Sequence, residues 1–420
     1  MRAVVLAVVL PVLGCARPLA LPADGPSDVP RDQTRHYTIW LGGSRVGTAI
    51  ETETWSHDRM HLSRDERLVF LRGDAEVAVA TTIDIDASSA LVADRVRWTE
   101  RTGDQTRAAE AVRTARGWTL STGGTIAASA AMPPVPAELV PLLVRRDHQF
   151  SGAVFLPARG FVAGTGTVEP VAPSRLVARL VLDAGAVVEA TIDLDGDGAP
   201  ARVVDGEGVI AIRASAAAAA EQFPAVDLIA ATALPITGSD QAGRGARIVL
   251  GGNVALPGVP GQRAELTKSG LEVALDPSLA GSLPDDAPSP DRSEDIRLLV
   301  RAVRSRITPD LAARPASSRD ASSATAGDCT TFALAYAALA SQRGIPTRIV
   351  TGLRVDGDRL IRHRWAVSWT GARWIAIDAA FGAVPAGGNL IGLAIHDADD
   401  AGLVAGEAAL TQVHAASWAP

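Results

Sequence analysis

Three side chains near the C-terminal end of this chain have the types needed to break an amide bond. They are the thiol of Cys329, the imidazole of His363 and the carboxylate of Asp378. A thiolate attacks a carbonyl carbon, an imidazole takes and returns the proton, and a carboxylate holds the imidazole in one tautomer. Cysteine usage singles out the thiol. The chain has 2 cysteines, Cys15 and Cys329. If Cys15 is spent on a lipid, Cys329 has no disulfide partner, and a lone thiol in an exported protein is a candidate reactive group. His36, His57, His61, His148, His396 and His414 are scattered and show no metal-ligand spacing.

The flanking residues predict how each group is held. Gly327-Asp328-Cys329 leads into a run rich in Ala and Leu, which favours helix, and Gly344 and Pro346 stop that helix. Cys329 therefore falls in the first turn, where unpaired N–H groups and the helix dipole favour the thiolate. A helix over 293–307 precedes it, with Ile296, Leu299, Val300 and Val303 on one face. Residues 360–369 alternate like a strand, with His363, Trp365, Val367 and Trp369 on one face, and 372–378 form a second strand. If Thr370-Gly371 is a two-residue turn, Trp365 faces Ala376 and His363 faces Asp378, with Cβ atoms about 4.5–5.5 Å apart. A turn longer by two residues on its C-terminal side puts Trp365 opposite Asp378 instead.

Taken in order, Gly327-Asp328-Cys329, the helix, Gly344-Ile345-Pro346, Gly352, His363-Arg364-Trp365, Trp374 and Asp378 resemble the bacterial transglutaminase-like domain, a papain-like fold. The resemblance covers residues 291–397. It implies that Cys329 is the nucleophile, His363 the base and acid, and Asp378 the group that orients the imidazole. It implies a peptide or protein amide as substrate and a thioester intermediate. Hydrolysis by a peptidase or amidase is favoured over cross-linking, and no metal or organic cofactor is implied. The chain departs from the family pattern at Val367, where an acidic residue is common, and at Ala379, where proline is common. The alternative is an inactive transglutaminase-like domain serving as a binding or docking module.

The remaining sequence predicts what carries this domain. Residues 3–13 are an apolar run too short to span a bilayer, and Val12-Leu13-Gly14-Cys15 resembles a bacterial lipobox. The expectation is a signal peptide at 1–14, lipid on Cys15 and a Pro-, Asp- and Gly-rich tether at 15–35. That describes an exported lipoprotein on the outer membrane, its periplasmic face or the cell surface, held by the Cys15 lipid. A net charge of −7 gives no basic footprint for nucleic acid, so none is expected as a partner. Lys268 is the only lysine.

Residues 36–276 read as an antiparallel β-rich domain with a candidate division at 216–222, where an alanine run sits. Residues 277–290, rich in Pro, Asp and Ser, read as a linker, and 398–420 as a tail. Asp193 to Gly198 suggests a calcium loop, but Val204 stands where the closing Glu would be, so an Asp/Gly hairpin turn is expected. The fold class is thus α+β: a β-rich N-terminal region, then a transglutaminase-like (papain-like) domain whose nucleophile begins a helix packed on an antiparallel sheet.

Overall fold

Alternation of apolar and polar side chains carries residues 33–214 through one 15-stranded sheet. Met60 and Leu62, Ile83 and Ile85, and Val96 and Trp98 are buried at every second position, as the two-residue period of a strand demands. The computed structural model describes residues 31–419 apart from 104, 116, 123–124, 131–134, 158–160, 183–186, 207, 239–245, 253, 312 and 314–319. Cys15 and the lipobox-like pattern lie outside the described residues. The first strand, Gln33–Leu41, sits mid-sheet between Ser44–Ser56 and the last strand, Val209–Ala214. From there the strands run outward to edges at Thr125–Ala130 and Val135–Pro136. Neighbours are antiparallel except Val135–Pro136 against Phe150–Leu156. The helix Val140–Asp147 supplies Leu142 and Leu143 to the core on one side of this sheet.

The expected turns form for the expected reasons. Gly42 and Gly43 make the first hairpin, with Leu41 opposite Ser44. Asp195 accepts from the N–H groups of Asp197 and Ala199 and pairs with Arg213, so this segment is a side-chain-closed turn rather than an ion-binding loop. The alanine run forms the helix Ala216–Ala220, capped by Ser215.

A second sheet, of nine strands, draws on two distant parts of the chain. Residues 234–275, which follow the candidate division at 216–222, contribute strands to this sheet and not to the first. Leu234–Thr237 pairs with Arg359–Trp369 and with the last strand, Val413–Trp418. Ala246–Gly252 also pairs with Val413–Trp418, and Gly270–Leu275 follows it. The segment expected as a tail contains the helix Asp400–Leu410 and that last strand. A short alternating run reveals that it is a strand but not which edge it joins, because pairing partners lie far away in sequence. The linker makes no strand or helix, yet it is docked: Trp369 Nε1 donates to Ala287 O (3.1 Å) and Trp374 Nε1 to Pro284 O (2.9 Å).

The helices Cys329–Gln342 and Asp400–Leu410 pack on this second sheet, and Ser293–Arg306 packs on the first of them. Ser293–Arg306 buries Ile296, Leu299, Val300 and Val303 along one stripe, which meets the helix Cys329–Gln342 in a shared core. That second helix is buried on nearly every side, as its run of Ala, Leu, Phe and Tyr requires. Gly344, at φ 64°, follows its end.

The hairpin after His363 corrects the shorter of the two turns considered. Trp369 pairs with Trp374, leaving a loop of Thr370 to Arg373. The Thr370 hydroxyl accepts from the N–H groups of Ala372 and Arg373, and Gly371 takes the positive φ of 104°. Threonine is poorly suited to positive φ, so it closes the loop with its side chain and leaves that conformation to glycine. A Cβ on Gly371 would also lie 2.4 Å from Ser289 O of the docked linker.

Candidate active site

Cys329 is the first residue of its helix, and Asp328 is the cap. The Asp328 Oδ1 accepts from the N–H groups of Thr330 (3.0 Å) and Thr331 (3.2 Å), and its main-chain carbonyl takes Phe332 N–H. These bonds satisfy the N–H groups of the first turn that follow Cys329. Gly327 precedes the cap because no side chain fits there: a Cβ would lie 2.1 Å from Thr331 Oγ1. The thiol is partly exposed.

His363 and Asp378 meet although they are not directly opposed. Ala366 pairs with Ile377 and Val367 with Ala376, a register that continues to Trp365 opposite Asp378. The two candidate registers differ by two residues, and a two-residue slip leaves every side chain on its original face. His363 and Asp378 therefore share a face either way and become diagonal neighbours, within reach of a long side chain. The His363 Nε2 to Asp378 Oδ2 distance is 2.8 Å. Asp378 Oδ1 accepts from Phe381 N–H at 3.3 Å, which fixes the carboxylate's rotation.

Cys329 lines the same cavity as His363 and acts on the charge of its imidazole. His363 is buried, at 6% exposure, and burial opposes its positive charge; hydrogen bonds from Asp378 and Cys329 outweigh that and push its pKa up to about 9. Trp365 stacks on the imidazole at 6.1 Å between ring centroids. Phe381, half exposed, meets its edge at 5.6 Å. All three sequence-predicted residues are thus brought to one place, with the imidazole between sulfur and carboxylate.

Several supporting residues escape a reading by motif. Arg364 is buried and spans three elements: its Nη1 donates to Thr330 Oγ1 (2.8 Å), Nε to Thr351 Oγ1 (2.9 Å) and Nη2 to Glu407 Oε1 (2.7 Å). It ties the first turn of the Cys329 helix to the sheet and to the helix Asp400–Leu410. His396 Nε2 closes the same network on Thr351 Oγ1, and burial together with Arg364 lowers its pKa to about 4, so it stays neutral. Adjacency of Arg364 to His363 in the chain was the available signal; Glu407 and His396 offered none.

The first sheet also reaches this site. Arg72 Nη1 donates to Asp328 Oδ2 (3.2 Å) and to Leu311 O (2.8 Å). The residue capping the Cys329 helix is therefore held from the other sheet. Replacing Arg72 with Ala is expected to cost about 1–2 kcal/mol in denaturant unfolding, because it strands a largely buried carboxylate. It should also slow alkylation of Cys329 by iodoacetamide, with Arg72→Lys recovering part of the rate. An unchanged alkylation rate would remove Arg72 from the site.

Cys329 and His363 open into a cavity of about 850 Å³ that lies between the two sheets. One wall carries Asp328, Thr330 and Arg364, and the other carries Tyr37, Ile39 and Phe70 of the first sheet.

With the geometry in place, residues 279–379 match the family model described as the transglutaminase-like superfamily. The chain contains a transglutaminase-like domain. The matched segment holds Cys329, His363 and Asp378. No curated protein matches the chain. Among solved structures, the chain is similar to a beta-barrel-like protein of a domain of unknown function from Brucella abortus. Identity there is 10%, coverage is 43% of this chain and 96% of that one, and the TM-score is 0.31. It is also similar to a protein of a second family of unknown function from Pseudomonas aeruginosa. That match has 12% identity, covers 36% of this chain and 87% of that one, and has a TM-score of 0.26. Among the described residues no helix is long and apolar enough to cross a membrane.

Proposed function

We propose that the transglutaminase-like domain is a cysteine peptidase or amidase acting on amide bonds of peptides or proteins, with Cys329, His363 and Asp378 in a papain-like arrangement. The observation that carries this reading is the His363 imidazole, held by Asp378 on one nitrogen, affected by the Cys329 sulfur and facing a cavity large enough for substrate.

The Cys329 thiolate forms a bond to the amide carbonyl carbon, and the carbonyl electron pair moves to oxygen. In this reading the Cys329 main-chain N–H, at the first position of its helix, donates to that oxyanion. Protonated His363 gives its proton to the leaving nitrogen as the C–N bond breaks, and a thioester remains. His363 then takes a proton from water, hydroxyl adds to the thioester, and the acid leaves with the thiolate restored. An amine in place of water would give transamidation; hydrolysis is the proposed outcome. The proposed setting is an exported lipoprotein, with lipid on Cys15 holding the domain at the cell envelope.

The test is capture of the acyl-enzyme. Exposure of the protein to a cell-envelope extract, rapid acid quench and mass spectrometry should find a thioester on the peptide containing Cys329. Iodoacetamide should compete for the same sulfur and label it rapidly near neutral pH. Labelling no faster than an ordinary exposed thiol, with no acyl adduct, would sink the reading in favour of a binding module.

A further inference from the structure

The cavity beside Cys329 contains a carboxylate that the proposed chemistry does not use. Glu138 lies just before the helix Val140–Asp147, on the side of the first sheet, and lines the same cavity as Cys329 and His363. Four glutamates that line the same cavity are matched by arginine. Glu51 and Glu66 share Arg64, at 3.7 and 3.2 Å. Glu100 holds Arg107 at 3.4 Å, and Glu407 holds Arg364 at 2.7 Å. Among the described residues Glu138 has no such partner, and its Oε2 is buried without a hydrogen-bond donor. Burial raises its pKa to about 7; a hydrogen bond from its own main-chain N–H and, less, the charge of Arg64, already shared with two other carboxylates, offset this only in part.

A second polar atom in the cavity is equally unmatched. Trp98 lines this cavity, and its Nε1 is buried and finds no acceptor among the described residues. Native proteins keep few buried polar atoms unpaired, because each costs free energy, and those that remain call for a ligand or a solvent molecule. A carboxyl group and an N–H donor that line one cavity are complementary to a group that offers a positive charge and a carbonyl. Apolar neighbours such as Ile83, Ile192 and Pro141 suit the methylene stem of a long basic side chain. This chain has a single lysine, Lys268, so the lysine side chain is supplied by another molecule.

We infer that the cavity wall around Glu138 and Trp98 is the specificity subsite of the amidase, receiving a lysine-type side chain of the peptide substrate: the ammonium meets Glu138 and a substrate carbonyl meets Trp98 Nε1. This rests on the cysteine amidase reading for the chemistry, but binding alone can test it.

The experiment uses full-length protein carrying Cys329→Ala, which binds without turning over. Two capped pentapeptide amides, identical except for lysine or norleucine at the centre, are titrated by calorimetry. The lysine peptide should bind about tenfold or more tightly, the scale of a charge-assisted hydrogen bond shielded from water. Adding Glu138→Gln should collapse that ratio towards one. If the Gln variant does not fold, Glu138→Asp, which withdraws the carboxylate, should lower the ratio. Equal affinities in the parent, binding of neither peptide, or a ratio unmoved by these variants would overturn the subsite. Wild type that forms the Cys329 thioester with both peptides alike keeps the amidase reading and loses this one. Lysine-selective binding without any thioester does the reverse.

Discussion

Cys329→Ala is expected to lower amide hydrolysis by about 10⁴-fold or more, leaving only what substrate binding and oxyanion donors supply. The loss should come in kcat, because the sulfur acts by forming a bond that no neighbouring group replaces. Substrate affinity should persist, since the cavity walls are untouched. The fold should persist as well: the thiol is partly exposed, and the cap bonds of its helix come from Asp328, not from the cysteine side chain. Groups that act as one unit are not additive, so His363→Ala should cost about as much, and the double variant little more than either. Hydrolysis that survives Cys329→Ala at the wild-type rate would place the chemistry elsewhere. Loss of the melting transition would show that the sulfur is structural.

The site was legible in the sequence because its signals are local. A Gly-Asp-Cys step before an Ala- and Leu-rich run announces a capped helix start, and the structure adds the reason for each residue: Gly327 for space, Asp328 for the cap. The meeting of His363 and Asp378 was legible for a different reason. The two-residue turn was wrong, yet an error of two keeps side chains on their faces, so the pairing survives a mistaken register. What stayed hidden is what depends on distant pairing. Leu234–Thr237 and Val413–Trp418 carry no mark that they complete the sheet behind His363. Arg72 is one of many arginines until the fold brings it to Asp328, and Glu138 looks like a surface glutamate until the first sheet curls over it. Chemistry was written in short motifs, while the walls of its cavity were written only in the fold.

Asp378→Asn tests the electrostatics rather than the nucleophile. The amide keeps the shape of the carboxylate but not its charge, and it can hold the imidazole in the wrong tautomer. A fall in kcat of about 10²- to 10⁴-fold is expected, by analogy with other acid–histidine pairs. The pH profile gives the sharper reading. Burial works against the His363 charge, and the bonds from Asp378 and Cys329 overcome it, placing the pKa at about 9. The wild-type alkaline limb of kcat/KM, set by loss of the proton needed by the leaving amine, should therefore sit near that value. Without the carboxylate, burial meets less opposition, and the limb should move to lower pH. Stability follows the same linkage. A folded-state pKa above the ordinary 6.5 of histidine means the folded protein holds a proton that the unfolded chain has released. That contribution is complete below pH 6.5 and is lost as pH rises from there through about 9. Wild type should lose melting temperature across that window, while Asp378→Asn should show a flatter profile there. Identical alkaline limbs and identical stability profiles for the two proteins would mean that the carboxylate, although 2.8 Å from the imidazole, does not hold its charge.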